Sequence, residues 1–144
     1  MEGASAFLKD ELFYCLIEEL LQTDNVKMGV VNFKYSQEIT TVKHYLDEHY
    51  LASITLDELS IIAHMNKYTL IRRFTKIFGV TPYQYLETKR INHAKGLLEQ
   101  NIDLIDVALF LGFSDQSHFT RLFKSLIGLT PKQYQNIFRE SEHE

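Results

Sequence analysis

Four polar side chains in the last third of the sequence have the chemistry and the spacing to bind a nucleic acid. They share one face of a predicted helix: Gln116, Ser117, Thr120 and Arg121. The apolar residues of the same segment recur at helical spacing on the other face: Phe119, Leu122, Phe123 and Leu126. Amide, hydroxyl and guanidinium groups form hydrogen bonds with base edges and phosphates. The segment therefore predicts a helix with one buried face and one face available for binding.

The flanking residues predict two further helices that would hold this one in place. Asp103 is a typical N-cap for a preceding helix that ends at Gly112, and Ser114 or Asp115 caps the polar-faced helix. Gly128 ends that helix, and Thr130 with Pro131 is typical of the start of a third. Helix, tight turn and helix is the helix-turn-helix arrangement. The simpler alternative is a small helical core with a polar outer face.

A second copy of the pattern lies 48 residues earlier, and the offset becomes 49 after the turn. It predicts a helix from Leu56 to His64 capped by Thr55, and a second helix from Lys67 to Phe78 capped by Asn66. The predicted buried face of this second helix is Leu70, Phe74 and Ile77. Its predicted outer residues are Tyr68, Thr69, Ile71, Arg72 and Lys76. An internal repeat of this kind predicts two helix-turn-helix units in tandem.

The ordered motifs of both copies resemble the DNA-binding unit of AraC/XylS-type transcription regulators over roughly residues 42–138. The residues that carry the resemblance are Ile54, Thr55, Leu56, Leu59, Leu70, Arg72, Phe74, Gly79, Val80, Thr81, Pro82, Arg90, Ile91, Ala94, Leu97, Leu98, Ala108, Gly112, Phe113, Phe119, Arg121, Phe123, Lys124, Gly128, Leu129, Thr130 and Pro131. The resemblance implies an all-α fold with two helix-turn-helix subdomains joined by a long helix, plus an N-terminal helical segment.

The same resemblance implies which side chains contact DNA. Base contacts are expected from Tyr68, Thr69, Ile71 and Arg72 in the first unit and from Gln116, Ser117, Thr120 and Arg121 in the second. Phosphate contacts are expected from Lys67, Lys76 and Lys124. Ile71 lies where a polar base contact is common in the family, and an isoleucine there would touch a thymine methyl group. Thr75 follows Phe74, where the family usually has a lysine, and this difference removes one expected phosphate contact.

A long helix is predicted from Pro82 to about Glu99, after Thr81 as its cap. Such a helix spans on the order of 25 Å. It could hold two recognition helices about one DNA turn apart, roughly 34 Å, so that one chain reads two successive major grooves. The expected function is a sequence-specific DNA-binding transcription regulator. The alternative is a protein-interaction module that pairs with a related regulator and antagonises it.

Residues 1–37 are expected to form an N-terminal helix and a linker before the DNA-binding domain at 38–139, with a tail at 140–144. The domain would contain units at about 38–80 and 101–139 and the linking helix at about 82–99. The helix at 6–22 is apolar around more than half of its surface, so it packs within the monomer, forms a homodimer, or is the remnant of a sensing domain. Val31, Phe33 and Tyr35 alternate as in a strand, although a packed linker is the preferred interpretation.

The net charge of −4 arises within residues 1–40, where seven acidic and three basic residues give −4. Basic residues concentrate on and after the two predicted recognition helices, in 66–95 and 117–139. One cysteine, Cys15, excludes an internal disulfide, and the scattered histidines fit no metal motif, so no cofactor, metal or catalysis is expected. With no signal peptide or membrane span, we expect a cytoplasmic protein. Its expected partner is double-stranded DNA, with RNA polymerase and a second copy, through residues 6–22, as further candidates.

Overall fold

The computed structural model describes residues 2–21 and 33–141, with side chains described for 6–17 and 37–140. These residues form eight helices and no strand, which confirms the predicted all-α fold. The helices are α1 (Glu2–Leu21), α2 (Phe33–His49), α3 (Leu56–Ile62), α4 (Lys67–Phe78), α5 (Pro82–Glu99), α6 (Leu104–Phe110), α7 (Gln116–Ile127) and α8 (Pro131–Ser141).

The internal repeat is reproduced helix by helix. Both α3 and α6 have 7 residues, and both α4 and α7 have 12. The offset is 48 from α3 to α6 and 49 from α4 to α7, so the one inserted residue lies in the turn between α6 and α7. His64 has φ 50 in the first turn and Gly112 has φ 79 in the second. Both turns therefore use a left-handed residue, which the histidine tolerates and the glycine favours.

The chain divides into two compact units. The first, here called the N-terminal unit, contains the described residues 2–21, 33–49 and 53–86; the second, the C-terminal unit, contains 50–52 and 87–141. The N-terminal unit buries aliphatic and aromatic residues of α2, α3 and α4: Ile39, Val42, Leu46, Leu56, Leu59, Leu70 and Phe74. The C-terminal unit has its own core of residues from α5, α6 and α7, including Ile91, Ala94, Leu98, Val107, Leu111, Phe119 and Phe123. Each unit thus has an apolar core against which its helix pair packs.

Capping residues explain where the helices begin. Thr55 forms a capping box with Glu58 at the start of α3. Thr81 forms the same reciprocal pair of hydrogen bonds with Gln84 before α5, at 3.0 and 3.3 Å. Thr130 repeats it with Gln133 before α8, at 2.9 and 3.2 Å. These bonds satisfy backbone groups that a helix end leaves unpaired, so the predicted starts at Pro82 and Pro131 are confirmed.

Three details of the predicted elements are wrong. Phe33 and Tyr35 belong to helix α2, so neither the preferred linker nor the strand alternative holds at these residues, and α2 begins before the boundary expected at residue 38. The rest of the expected linker, residues 22–32, lies outside the described residues. Ile77 is 37% exposed and Leu126 48% exposed, although both were expected on buried faces. Each lies in the last turn of its helix, where a small core no longer covers the apolar face.

The N-terminal helix α1 packs against the N-terminal unit along one face. Phe7 is 1% exposed, and its ring centroid lies 5.3 Å from that of Tyr83. Glu11 is buried and accepts a hydrogen bond from the backbone N–H of Tyr83, 3.1 Å away, at the start of α5. On the other side Leu12, Phe13 and Leu16 are 55–60% exposed. One face of α1 therefore belongs to the monomer core, and an apolar face remains at the surface.

No helix among the described residues has the length and apolar character needed to cross a bilayer.

Candidate nucleic-acid interface

The helices α4 and α7 are held at both ends by equivalent contacts. At the start of α4 the Asn66 side chain accepts a hydrogen bond from the Thr69 N–H at 2.8 Å, and at the start of α7 Asp115 accepts one from the His118 N–H at 2.6 Å. Gly79 and Gly128 end the two helices in the left-handed conformation, with φ 75 and 90. Both helices are thus well-defined rigid supports for outward side chains.

The predicted polar face of α7 is present in the C-terminal unit. Gln116, Ser117 and Arg121 are exposed and Thr120 is half-buried, whereas Phe119 on the other side is fully buried. Positions 116, 117, 120 and 121 lie on one side of a helix, because residues four apart are neighbours on its surface. The structure therefore brings the four predicted side chains together on one outward surface.

His118 fixes how this face of α7 is turned within the C-terminal unit. Its ring meets the ring of Phe113 edge-on, with centroids 5.6 Å apart. Its Nε2 lies 3.2 Å from Oε1 of Glu87 on α5. These contacts give His118 a packing role in the C-terminal unit. The neighbouring residues Ser117 and Gln116 are left free to face outward because His118 takes the inward position.

The outer face of α4 is formed by Tyr68, Arg72 and Lys76, which follow one another at four-residue intervals. Arg72 and Lys76 are exposed, and Tyr68 and Thr69 are half-buried. The guanidinium carbon of Arg72 lies 5.9 Å from the centroid of the Tyr68 ring, within cation–π range. This contact orients the arginine along the helix surface. A guanidinium held in this way remains able to bind a guanine edge or a phosphate.

Ile71 does not belong to this face, so its expected base contact is wrong. Its side chain is only 2% exposed and forms part of the core of the N-terminal unit. The physical reason is the packing of α1: Lys67, four residues earlier on the same side of α4, is bonded to Asp10 of α1. An isoleucine facing this covered side gains free energy from burial instead of contacting a thymine methyl group.

Lys67 is also placed differently from its expected role as a phosphate contact. Its Nζ lies 2.8 Å from an oxygen of Asp57 on α3 and 3.2 Å from one of Asp10 on α1. The side chain is 21% exposed. The hydrogen bond that Lys67 donates to Asp57, followed by the one that it donates to Asp10, raises the pKa of Lys67 against the opposing effect of burial. Its positive charge is therefore already matched by two carboxylates within the protein.

Lys76 and Lys124 are both exposed, each in the C-terminal half of its helix. Such flexible ammonium groups are suited to phosphate oxygens, which need charge more than fixed geometry. The two expected phosphate contacts at these positions therefore remain predictions that the geometry permits.

Arg90 performs a structural task that the sequence pattern did not indicate. It is 4% exposed and donates hydrogen bonds to three backbone carbonyls of the C-terminal unit: from Nε to Tyr50 at 2.8 Å, from Nη2 to Ala52 at 3.0 Å and from Nη1 to Gly112 at 3.3 Å. A Cβ atom at Gly112 would lie 3.3 Å from the guanidinium carbon. Gly112 is thus favoured both by its positive φ and by this close approach.

Arg90 belongs to the basic stretch 66–95, and its side chain is buried instead of exposed to solvent. Its guanidinium points into the protein, where it holds the 50–52 segment and the turn between α6 and α7. This turn sets the angle between α6 and α7, so Arg90 supports the binding face without belonging to it.

A metal site is a separate chemical possibility for a chain with six histidines. In the described part of the chain, no three His, Cys, Asp or Glu residues lie together in a way that could hold a metal ion.

Comparison with known proteins agrees with this geometry. Residues 59–137, more than half of the chain, match the family described as a helix-turn-helix domain. The chain belongs to the AraC/XylS-type family of helix-turn-helix transcription regulators. It is 47% identical over 119 residues to an uncharacterised HTH-type transcriptional regulator, YbfI, of Bacillus subtilis (strain 168), covering 81% of this chain and 43% of that protein. It is 33% identical over 127 residues to the probable transcriptional regulator LumQ of Photobacterium leiognathi, covering 87% and 49%.

Solved structures of the AraC type share the fold. The DNA-binding domain of AdpA, a global transcriptional factor solved in complex with a target DNA, superposes with a TM-score of 0.67 at 27% identity, covering 74% of this chain and 97% of that one. A probable AraC family regulator from Rhodopseudomonas palustris CGA009 gives the same TM-score of 0.67 at 22% identity, over 71% and 97%. The chain spans less than half the length of the curated relatives YbfI and LumQ.

Proposed function

We propose that this AraC/XylS-type chain binds double-stranded DNA in a sequence-specific manner by placing α4 and α7 in the major groove. Base contacts come from Tyr68, Thr69 and Arg72 on α4 and from Gln116, Ser117, Thr120 and Arg121 on α7. Lys76 and Lys124 contact phosphates. Ile71 and Lys67 are left out of this interface because one is buried and the other is paired with two carboxylates.

The equivalence of Arg72 and Arg121 carries this proposal. The two residues are 49 positions apart, which is the offset between α4 and α7, so each is the sixth residue of its helix. Both are exposed, although buried phenylalanines two positions later, Phe74 and Phe123, anchor each helix. Arginine is the side chain best suited to pair with guanine O6 and N7 through two hydrogen bonds. Two units that retain an outward arginine at the same helical position support DNA contact by both.

Each unit is proposed to read one short box of a composite site, and the two boxes lie in successive major grooves. The basis is that α5 contributes to both units, residues 82–86 to the first and 87–99 to the second. We propose that the chain acts in transcription by binding alone and not as an enzyme. Contact with RNA polymerase remains a proposal as well.

Binding to a random-sequence duplex at low salt is the first test of this function. Phosphate contacts supply most of non-specific affinity, so even an unselected duplex should be bound, and binding should weaken steeply as salt rises. Fluorescence anisotropy of a labelled duplex, repeated with Lys76→Gln and Lys124→Gln, measures this directly. No binding at the lowest salt would reject DNA contact and favour the alternative, a module that pairs with a related regulator.

Self-association through α1 is a second part of the proposal. The supporting observation is the exposed apolar face formed by Leu12, Phe13 and Leu16, which is 55–60% exposed in a helix whose other face is packed. Burial of such a face in a second copy would remove apolar area from water.

Replacing both Leu12 and Leu16 with lysine is expected to give a folded monomer, because four-residue spacing places both charges in the proposed interface. Analytical ultracentrifugation over a range of concentrations measures the effect. Ile61→Lys, at a 73% exposed position on α3, is the matched control and should leave self-association unchanged. A wild-type chain that stays monomeric at high concentration contradicts the proposal.

A further inference from the structure

Two carboxylates meet at the first residue of α4, the proposed recognition helix of the N-terminal unit. Lys67 begins α4, and its ammonium group lies between Asp57 of α3 at 2.8 Å and Asp10 of α1 at 3.2 Å. Asp57 lies close by in sequence within the helix-turn-helix pair. Asp10 is 57 residues away and comes from a helix outside residues 59–137, the part that matches the family. The helix α1 therefore adds a negative charge to the helix-turn-helix pair.

The position of Asp10 is determined by its neighbours on α1. Phe7, three residues before it, is buried against Tyr83, and Glu11, the next residue, is buried and bonded to the Tyr83 backbone. These contacts dock α1 on the N-terminal unit independently of Lys67. The Asp10 side chain itself is 45% exposed, so its carboxylate lies at the surface beside α4.

We propose that Asp10 is a negative determinant of DNA affinity, because its carboxylate holds Lys67 in the place of a DNA phosphate. The inference rests on the proposed binding of DNA by α4. The first residues of a recognition helix lie closest to the groove. A duplex carries one negative charge per about 1.7 Å of its length, so a fixed carboxylate there repels phosphates and occupies the lysine that would attract them.

The consequence is a coupling between the docking of α1 and the DNA affinity of α4. When α1 is docked, Lys67 is shared by Asp10 and Asp57, and the N-terminal unit presents less positive charge. When α1 leaves, Lys67 loses one of its two carboxylate partners and becomes more available to a phosphate. Asp10 thereby sets how strongly the first unit contributes to binding.

The main comparison uses four proteins on one labelled random-sequence duplex by fluorescence anisotropy across a salt series. They are the wild type, Asp10→Asn, Lys67→Gln and the double variant. Asn keeps the size and polarity of Asp while removing its charge. Glu48→Gln, at an exposed position at the end of α2, makes the same change of net charge away from Lys67 and is the matched control. Circular dichroism melts verify that each protein is folded.

We expect the Asp10→Asn protein to bind the duplex about three- to tenfold more tightly at low salt. Surface charges act mainly on the rate of encounter and on the salt dependence, so the gain should shrink as salt rises. Removing both carboxylates, with Asp10→Asn and Asp57→Asn together, is expected to steepen the salt slope by about 0.9, the value for one further phosphate contact. The gain from Asp10→Asn should disappear when Lys67 is glutamine.

Equal gains from Asp10→Asn and Glu48→Gln would overturn the proposal, because a general charge effect would then explain both. A gain that persists in the Lys67→Gln background would overturn it as well. If Asp10→Asn loosens α1, Asp57→Asn gives a second measurement that leaves the α1 contacts in place. An Asp57→Asn protein that binds DNA no more tightly than the wild type would contradict the idea that carboxylates keep Lys67 from phosphates. Binding by the wild type without any effect at Asp10 rejects this inference alone, whereas absence of binding by every protein rejects the proposed function.

Discussion

Replacing Arg90 with methionine is expected to lower the free energy of unfolding by about 3 kcal/mol or more. Arg90 donates to the backbone carbonyls of Tyr50, Ala52 and Gly112 from a position that is 4% exposed. Methionine fills a similar length without any donor, so these carbonyls lose a charged partner. Hydrogen bonds from a charged donor contribute about 1.5–3 kcal/mol each, so the loss of three of them accounts for an effect of this size.

Chemical denaturation followed by circular dichroism measures the effect of Arg90→Met. Arg139→Met, at an exposed position in α8, is the matched control and should change the unfolding free energy by less than about 0.5 kcal/mol. A loss of less than 1 kcal/mol at Arg90 would mean that the three hydrogen bonds contribute little, and that the turn at Gly112 is held by the packing around it.

Arg121→Ala is expected to weaken binding to a selected DNA site by about 1–3 kcal/mol, the usual value of a bidentate contact with guanine. Arg121 is exposed on α7, on the face opposite the fully buried Phe119 and Phe123. Its removal leaves the core untouched, so the loss should appear in affinity and not in stability. The base preference at one position of the site should also relax.

The matched control for Arg121 is Lys132→Ala on the exposed surface of α8, which removes the same charge outside the proposed interface. Isothermal titration with the selected duplex and with variants of each base pair identifies the position that Arg121 reads. Unchanged affinity of a folded Arg121→Ala protein would remove this residue from the interface.

Much of the fold could be predicted because its signals are local. Caps at Thr55, Asn66, Thr81 and Thr130 and the stop at Gly128 lie within a few residues of the helix ends that they define. The repeat offset of 48 and then 49 predicts an inserted residue in the second turn, and the helix boundaries agree. On α7 the separation of polar and apolar residues likewise placed Gln116, Ser117 and Arg121 outward.

The errors on α4 have a non-local cause. Periodicity gives the direction of Ile71 relative to its own helix but not what lies on that side. The structure places α1 against α4, so Ile71 is buried and Lys67 is paired with Asp10, 57 residues away in sequence. Arg90 shows the same limit, because its three carbonyl acceptors come from residues 22 to 40 positions away. An arginine in a basic stretch has no local sign that it is buried.

The composition of the N-terminal helix leaves three interpretations open: packing within the monomer, a homodimer, or the remnant of a sensing domain. The structure shows packing of one face within the monomer, and self-association through the other face remains a proposal. Phe7 and Glu11 pack within the monomer, while Leu12, Phe13 and Leu16 face outward. A helix that is apolar around most of its surface can pack on both sides, and only the arrangement of its neighbours determines which side is covered.

Inserting five base pairs between the two boxes of a selected site is the most direct test that both units bind DNA in register. Selection from a random duplex pool should first give two short boxes about 10 bp apart, one for each recognition helix. Five further base pairs move one box to the opposite face of the duplex, whereas ten restore the face and serve as the control. Affinity should fall to that of a single box after the five-base-pair insertion. Unchanged affinity would contradict the account, since α4 would then make no registered contact and α7 would read DNA alone.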